Sequence, residues 1–181
     1  NDVGAKYLAD WAKEIQTYGK GREYDCIIGV SGGVDSSYLL YVAKEIMNLR
    51  PLAVHVDAGW NSELAVRNIE NLTKGLGIDL FTFVIDWSEM RDLQVAYLKA
   101  ALANQDVPQD HAFFAKLYEF AIKKDIKYVL TGSNYATESI LPRAWGYNAK
   151  DSRQLLAIHK KFGKKKLATF PISGLFRSHI Y

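Results

Sequence analysis

The sequence predicts a doubly wound α/β fold, a parallel sheet of about five strands with helices on both faces. Three observations predict it: short apolar runs rich in branched residues, stretches of helical periodicity alternating with them, and 181 residues of 49% apolar content, which suits one domain with a sizeable core. Tyr7, Leu8, Trp11, Ala12 and Ile15 fall at helical spacing, and Gly19-Lys20-Gly21 ends that first helix. Residues 25–30 form an apolar run that reads as a buried strand. It breaks at Ser31-Gly32-Gly33, after which Val34, Leu39, Val42, Ala43 and Ile46 restore the helical period to about Asn48. Beyond Pro51, residues 52–56 give a second strand, so this segment is a strand-helix-strand crossover with parallel pairing.

The alternation continues. Ser62 caps a helix carrying Leu64, Ala65, Ile69, Leu72 and Leu76, with Gly75 and Gly77 as stop signals. Residues 80–85 are a third strand. Ser88 opens an amphipathic helix to about Ala103, and Pro108 separates it from another running from about Asp110 to Lys124. Residues 128–131 are a fourth strand and residues 167–170 a weaker candidate for a fifth. Such sheets bind ligands beyond the carboxyl ends of their strands, at the switch point, which directs attention to the residues after Val30, Val56, Ile85 and Thr131.

Composition excludes several function classes. Twenty-three basic residues against twenty acidic ones leave a net charge of +3, too little for a field that draws nucleic acid or a membrane surface without specific sites. The single cysteine can form neither an internal disulfide nor a thiolate zinc site. No apolar run approaches the ~18 residues of a membrane span, and the start lacks the layout of a signal peptide. A cytoplasmic protein is expected. The chain begins at Asn1 without a methionine and ends in a mixed polar and aromatic stretch, so a single domain over residues 1–181 belonging to a longer chain is expected.

The densest chemistry follows the first strand. In Ser31-Gly32-Gly33-Val34-Asp35-Ser36-Ser37, the glycines allow a tight turn with exposed N–H groups, and the next helix aims its unpaired N–H groups at the same spot. This is an anion cradle. Ser31, Ser36 and Ser37 add hydroxyls, and Asp35 suits an Mg²⁺ ion that bridges phosphate oxygens. The Walker A loop fails for want of a lysine after its second glycine, and the dinucleotide fingerprint fails on glycine spacing. Gly29-Val30-Ser31-Gly32-Gly33 does satisfy G-x-S-x-G, which would make Ser31 the nucleophile of an α/β-hydrolase, with Asp57 or Asp86 and His159 or His179 completing a triad. Against it stands the oxyanion hole, which borrows an N–H from an earlier strand-to-helix loop, and here no such loop precedes Ser31. An ATP-binding module without catalysis is a further reading.

Ser-Gly-Gly-Val-Asp-Ser-Ser after a short apolar strand closely resembles the PP-loop of the N-type ATP pyrophosphatases, whose fold is adenine nucleotide alpha hydrolase-like. The resemblance implies ATP cleavage between the α and β phosphates, adenylation of a substrate oxygen, and displacement of AMP by ammonia, an amine or sulfur. It implies that Ser31, Gly32, Gly33, Ser36 and Ser37 hold pyrophosphate, that Asp35 holds Mg²⁺, that Thr131-Gly132 is the second nucleotide contact, and that backbone groups near Val56 and Asp57 read the adenine edge. Asp35, Ser31 and Glu138 are the catalytic candidates. Because the only cysteine, Cys26, sits within a predicted buried strand, persulfide chemistry of the transfer-RNA sulfur transferases is disfavoured.

Residues 54–62 and 131–142, with Trp145-Gly146-Tyr147, resemble the N-acetyl sugar amidotransferases of lipopolysaccharide biosynthesis. That likeness covers residues 25–171 and implies an acetamido sugar, UDP-linked, as substrate and a glutaminase partner that supplies ammonia. It places Asn134, Glu138 and Arg143 at the substrate, Glu138 either as a metal ligand or orienting ammonia. Trp60 and Trp145 suit either a sugar face or the core. His55, mid-strand, reads as structural. Lys160, Lys161, Lys164, Lys165 and Lys166 read as a solvated loop or as a contact for an anionic substrate. The alternatives are another PP-loop enzyme, a transfer-RNA sulfur transferase or an ammonia-dependent synthetase.

Overall fold

A computed structural model describes residues 2–133 and 149–174. Its sheet has four strands, β1 (Cys26–Gly29), β2 (Pro51–Asp57), β3 (Leu80–Val84) and β4 (Tyr128–Leu130), in the order β3-β2-β1-β4. β1 pairs in parallel with both neighbours: Cys26 lies opposite Pro51 and Tyr128, and Ile28 opposite Ala53 and Leu130. Its central place explains why it reads as a continuous apolar run, since both faces are covered. β3 and β4 are the edges of this four-stranded sheet, and Phe81 and Val84 of β3 are exposed.

The helices are α1 (Asp2–Gly19), α2 (Val34–Tyr41), α3 (Glu63–Leu76), α4 (Trp87–Lys99), α5 (Val107–Lys123) and α6 (Ser152–Phe162). After Tyr41 the helical path widens over Val42–Ile46, where the N–H of Met47 reaches back five residues to the carbonyl of Val42 at 2.8 Å. Ser62 caps α3 as its sequence predicts, accepting from the N–H of Ala65 at 3.1 Å.

Four expectations change. α4 starts two residues earlier than a Ser88 cap implies, because Asp86 is the cap and accepts from Glu89 N–H at 3.0 Å, while Ser88 donates to the same carboxylate. Pro108 lies inside the first turn of α5, where a missing N–H costs no helical bond, rather than between helices. Residues 167–170 are not a strand: the N–H groups of Ala168, Thr169 and Phe170 are taken by the Glu89 carboxylate. α6 has no counterpart in the sequence reading, although Asp151 caps it through the N–H groups of Arg153 and Gln154.

The described residues fall into two compact units, drawn from Asn1–His55, Asn61–Thr82 and Glu119–Ile140, and from Val56–Trp60, Phe83–Tyr118 and Leu141–Tyr181. The core of the first gathers Ala12 and Ile15 of α1, Cys26 and Ile28 of β1, Leu40, Ala43, Ala53 and Ile69. In the second, α4 packs on α6 and buries Met90, Leu93, Ala96 and Tyr97. No helix among the described residues is long and apolar enough to cross a membrane.

Cys26 is fully buried, and burial, reinforced by the neighbouring Asp25, pushes its thiol up to about 12. It is therefore inert in the folded protein. Native protein at pH 8 is expected to leave a disulfide reagent unreacted for hours and to titrate one thiol after denaturation. Rapid reaction without denaturant would contradict this placement.

Candidate functional site

The strand order fixes where a ligand can sit. From β1 the chain winds outward through β2 to β3 and then returns to place β4 on the other side of β1. The order reverses between β1 and β4, so the switch point lies beyond their carboxyl ends. The loops that leave these two strands are Ser31-Gly32-Gly33 and Thr131-Gly132-Ser133.

The first loop is held by its own hydroxyls. The N–H of Ser31 donates to Ser36 Oγ at 3.3 Å, Ser36 Oγ donates to the carbonyl of Gly33 at 3.2 Å, and the two serine hydroxyls lie 3.2 Å apart. Gly32 sits in the left-handed region at φ +78°, and a Cβ there would fall 2.5 Å from the carbonyl oxygen of Ala65. Only glycine permits both the turn and the close approach of α3. Asn68 of α3 donates to the carbonyl of Gly32 at 3.2 Å, a support three elements along the chain with no signal in the sequence.

Gly33 precedes α2 in extended conformation, and no side chain caps the helix, so its first N–H groups point free at the loop. Asp35 lies in that first turn, exposed, and its carboxylate makes no hydrogen bond or ion pair among the described residues. The second loop closes on the same turn. A Cβ on Gly132 would stand 3.0 Å from both the carbonyl carbon of Asp35 and the N of Ser36. Residues 31–37 and Thr131-Gly132 are thus brought together by backbone contact.

Beneath the loop, His55 is structural, as its sequence position implies. Its Nδ1 donates to the carbonyl of Val30 at 2.8 Å and its Nε2 accepts from the Asn61 amide at 2.9 Å, so both ring nitrogens are spent on the exit of β1. Asn61 is a second residue the sequence reading misses.

The remaining candidates are placed as follows. Val56 is buried; the Asp57 carboxylate accepts from Gly59 N–H at 2.8 Å, and the Asp57 carbonyl accepts from Ile85 N–H at 2.9 Å. Asn134, Glu138, Arg143, Trp145 and His179 lie outside the described residues. Of the triad partners proposed for a hydrolase, Asp86 is engaged as the cap of α4 and His159 with Asp92 at 3.2 Å. The left-handed conformation belongs to Gly32, whereas a nucleophile elbow strains the serine itself. Lys160 and Lys161 close α6, and Lys164 and Lys165 donate their backbone N–H groups to Asp92.

The loop geometry fits a nucleotide polyphosphate. Gly32 permits the turn, the uncapped N–H groups of α2 and the hydroxyls of Ser31 and Ser36 gather at the loop, and the Asp35 carboxylate, without a partner among the described residues, suits a hard cation. The family model for NAD synthase matches residues 7–174, a span that contains both loops. The chain belongs to the NAD synthase family. This family lies within the PP-loop ATP pyrophosphatases, so the coarser resemblance of the loop holds.

Individual relatives agree. The chain is 37% identical over 71 residues to an uncharacterized protein of Methanocaldococcus jannaschii, covering 39% of this chain and 26% of that one. It is 29% identical over 129 residues to the glutamine-hydrolyzing GMP synthase of Pyrobaculum aerophilum, covering 68% and 24%. It spans about a quarter of the length of these curated relatives. Among solved structures, the NH3-dependent NAD synthetase of Campylobacter jejuni aligns with TM-score 0.56 at 16% identity, covering 87% of this chain and 72% of that one. The NMN synthetase of Francisella tularensis aligns with TM-score 0.54 at 19% identity, covering 87% and 68%. At these identities the two structures establish the fold.

Proposed function

We propose that this NAD synthase family member is an ATP-dependent amidotransferase that adenylates a substrate oxygen and lets ammonia displace AMP. The observation that carries the reading is the closure of Gly132 onto the first turn of α2, which joins the two nucleotide loops at the switch point. In this reading Ser31, Gly32, Gly33, Ser36 and Ser37 hold the departing pyrophosphate, with Thr131-Gly132 on the other side. Asp35 would hold Mg²⁺, which would supply positive charge to offset that of the phosphates. The substrate oxygen attacks the α phosphorus, the bond to the β phosphate breaks, and pyrophosphate leaves. Ammonia then adds to the activated carbon, which expels AMP. No side-chain nucleophile is needed, since fixed N–H dipoles stabilise the charge that develops on phosphate.

The acceptor we propose is the acetamido oxygen of a nucleotide-activated sugar, UDP-linked, for surface polysaccharide, with ammonia from a glutaminase partner. Residues 54–62 and 131–142 support it by resemblance. A second reading, a carboxylate acceptor on a pyridine dinucleotide precursor, is favoured by the family match.

Incubation with ATP, Mg²⁺, ammonia and a UDP-acetamido sugar is expected to release AMP and pyrophosphate in equal amounts. Asp35→Ala should lower that rate by at least about a hundredfold, in the range seen when one transition-state electrostatic contact is lost. Release of ADP alone would overturn the chemistry. Turnover with deamidated NAD but not with the sugar would transfer the assignment to the second reading, and ATP binding without pyrophosphate release would leave only a nucleotide-binding module.

A further inference from the structure

We propose that a cavity of about 330 Å³ lined by Trp60, Gln94, Leu98, Gln105, Asp106 and Gln109 binds the neutral, polyhydroxylated part of the acceptor. The volume falls in the range of small-molecule sites, roughly 300 to 1,000 Å³. Trp60 is 63% exposed yet not loose: its indole N–H donates to Gln94 Oε1 at 3.1 Å, and its ring packs edge-on against Trp87 with centroids 5.4 Å apart. An exposed indole held by its N–H and by a neighbouring ring offers its exposed surface to a partner.

The polar groups point to the partner's chemistry. Gln105 donates its amide N–H to the carbonyl of Leu102, while its Oε1 is buried with no hydrogen-bond partner among the described residues. That oxygen has no surface open to the cavity, so the polar side chains that a ligand meets are Gln94, Asp106 and Gln109. Gln94, its oxygen already taken by the indole, has N–H groups to donate; Asp106 can only accept; Gln109 can do both. A wall that mixes amide donors with amide and carboxylate acceptors matches hydroxyls, which both donate and accept. No lysine or arginine among the described residues lines the cavity, and Asp106 opposes phosphate, so this wall favours the neutral part of a substrate over its charged part. An exposed indole suits the apolar face of a sugar ring, and the polar side chains beside it suit the hydroxyls at that ring's rim.

The proposal rests on the amidotransferase reading only for which group reacts, so binding and turnover are measured separately. The full chain is titrated calorimetrically with UDP-N-acetylglucosamine, N-acetylglucosamine and uridine, and saturation-transfer NMR records which ligand protons touch the protein. Sugar-ring protons are expected to saturate, and Trp60→Ala and Asp106→Asn are each expected to weaken the UDP-sugar about tenfold or more with unchanged melting. Asp106→Asn keeps size and exposure, so it stands if the tryptophan variant misfolds. Saturation confined to the uracil, no binding, or equal affinity in both variants would overturn the pocket. UDP-sugar binding that depends on Trp60 but yields no AMP would sink the amidotransferase reading and leave the pocket; AMP release indifferent to both variants would do the reverse.

Discussion

Gly32→Ala is expected to lower ATP affinity at least about a hundredfold, roughly 2.7 kcal/mol, whereas Gly33→Ala should stay within about tenfold of the parent. The two glycines are adjacent but differ in what surrounds them. At Gly32 the backbone has φ +78°, a conformation that costs an L-residue about 1 to 2 kcal/mol. A Cβ would also meet the oxygen, Cα and carbonyl carbon of Ala65 at 2.5, 2.8 and 2.9 Å, all of them backbone. No rotamer relieves that clash, so either the first turn of α3 retreats or the loop turns over. Both outcomes break the Asn68 bond to the Gly32 carbonyl and misdirect the Ser31 and Ser36 groups. At Gly33 the added Cβ meets only the Ser31 hydroxyl, at 3.4 Å, and φ is −79°. Calorimetric titration with a non-hydrolysable ATP analogue reads the difference. Equal affinity of the two variants would refute a rigid cradle built on Gly32.

This contrast marks how far the sequence could carry the site. The loop itself was legible because its requirements are local: a glycine turn, a helix start and clustered hydroxyls fit within Ser31–Ser37. β1 was legible for the same reason, its apolar run being short and bounded. What could not be read is contact across the chain. Ala65 and Asn68 touch Gly32 from α3, and Gly132 reaches Asp35 from almost a hundred residues away. Nothing in the residue pattern fixes those distances before the strand order is known. The misplaced elements share a cause. Residues 167–170 have strand composition, but a strand needs a neighbouring edge, and there a carboxylate 79 to 81 residues earlier takes the N–H groups instead. Ser88 and Asp86 were equally eligible as caps by type, and geometry chose the one whose oxygen reaches the N–H of Glu89.

Glu89→Ala is expected to be the most damaging single change to stability outside the apolar core, on the order of 3 kcal/mol or more, with a fall in melting temperature of several degrees. The Glu89 side chain is buried in the first turn of α4 and accepts from Ala168 N–H at 3.0 Å, from Thr169 N–H at 3.0 and 3.1 Å, and from Phe170 N–H at 2.7 Å. One turn on, Asp92 accepts from Lys164 N–H at 2.9 Å, from Lys165 N–H at 3.0 Å and faces His159. Together the two carboxylates anchor the segment that carries Lys164, Lys165 and Lys166. Removing Glu89 leaves buried N–H groups unpaired, and Glu89→Gln aims an NH₂ at donors, so it should recover only part of the loss. Burial alone would push Glu89 up, yet the backbone N–H bonds outweigh it and hold the carboxyl below its ordinary 4.5; Asp92 is likewise held below 3.8. A carboxyl whose value is lowered by folding contributes stability that is complete above its ordinary value and disappears as pH falls through the lowered one. Melting temperatures of the parent should therefore decline as pH drops below about 4.5, and the decline should be shallower in Glu89→Gln, because that site no longer takes up a proton. Parallel pH profiles for the two proteins would rule out an ionised Glu89 as the anchor.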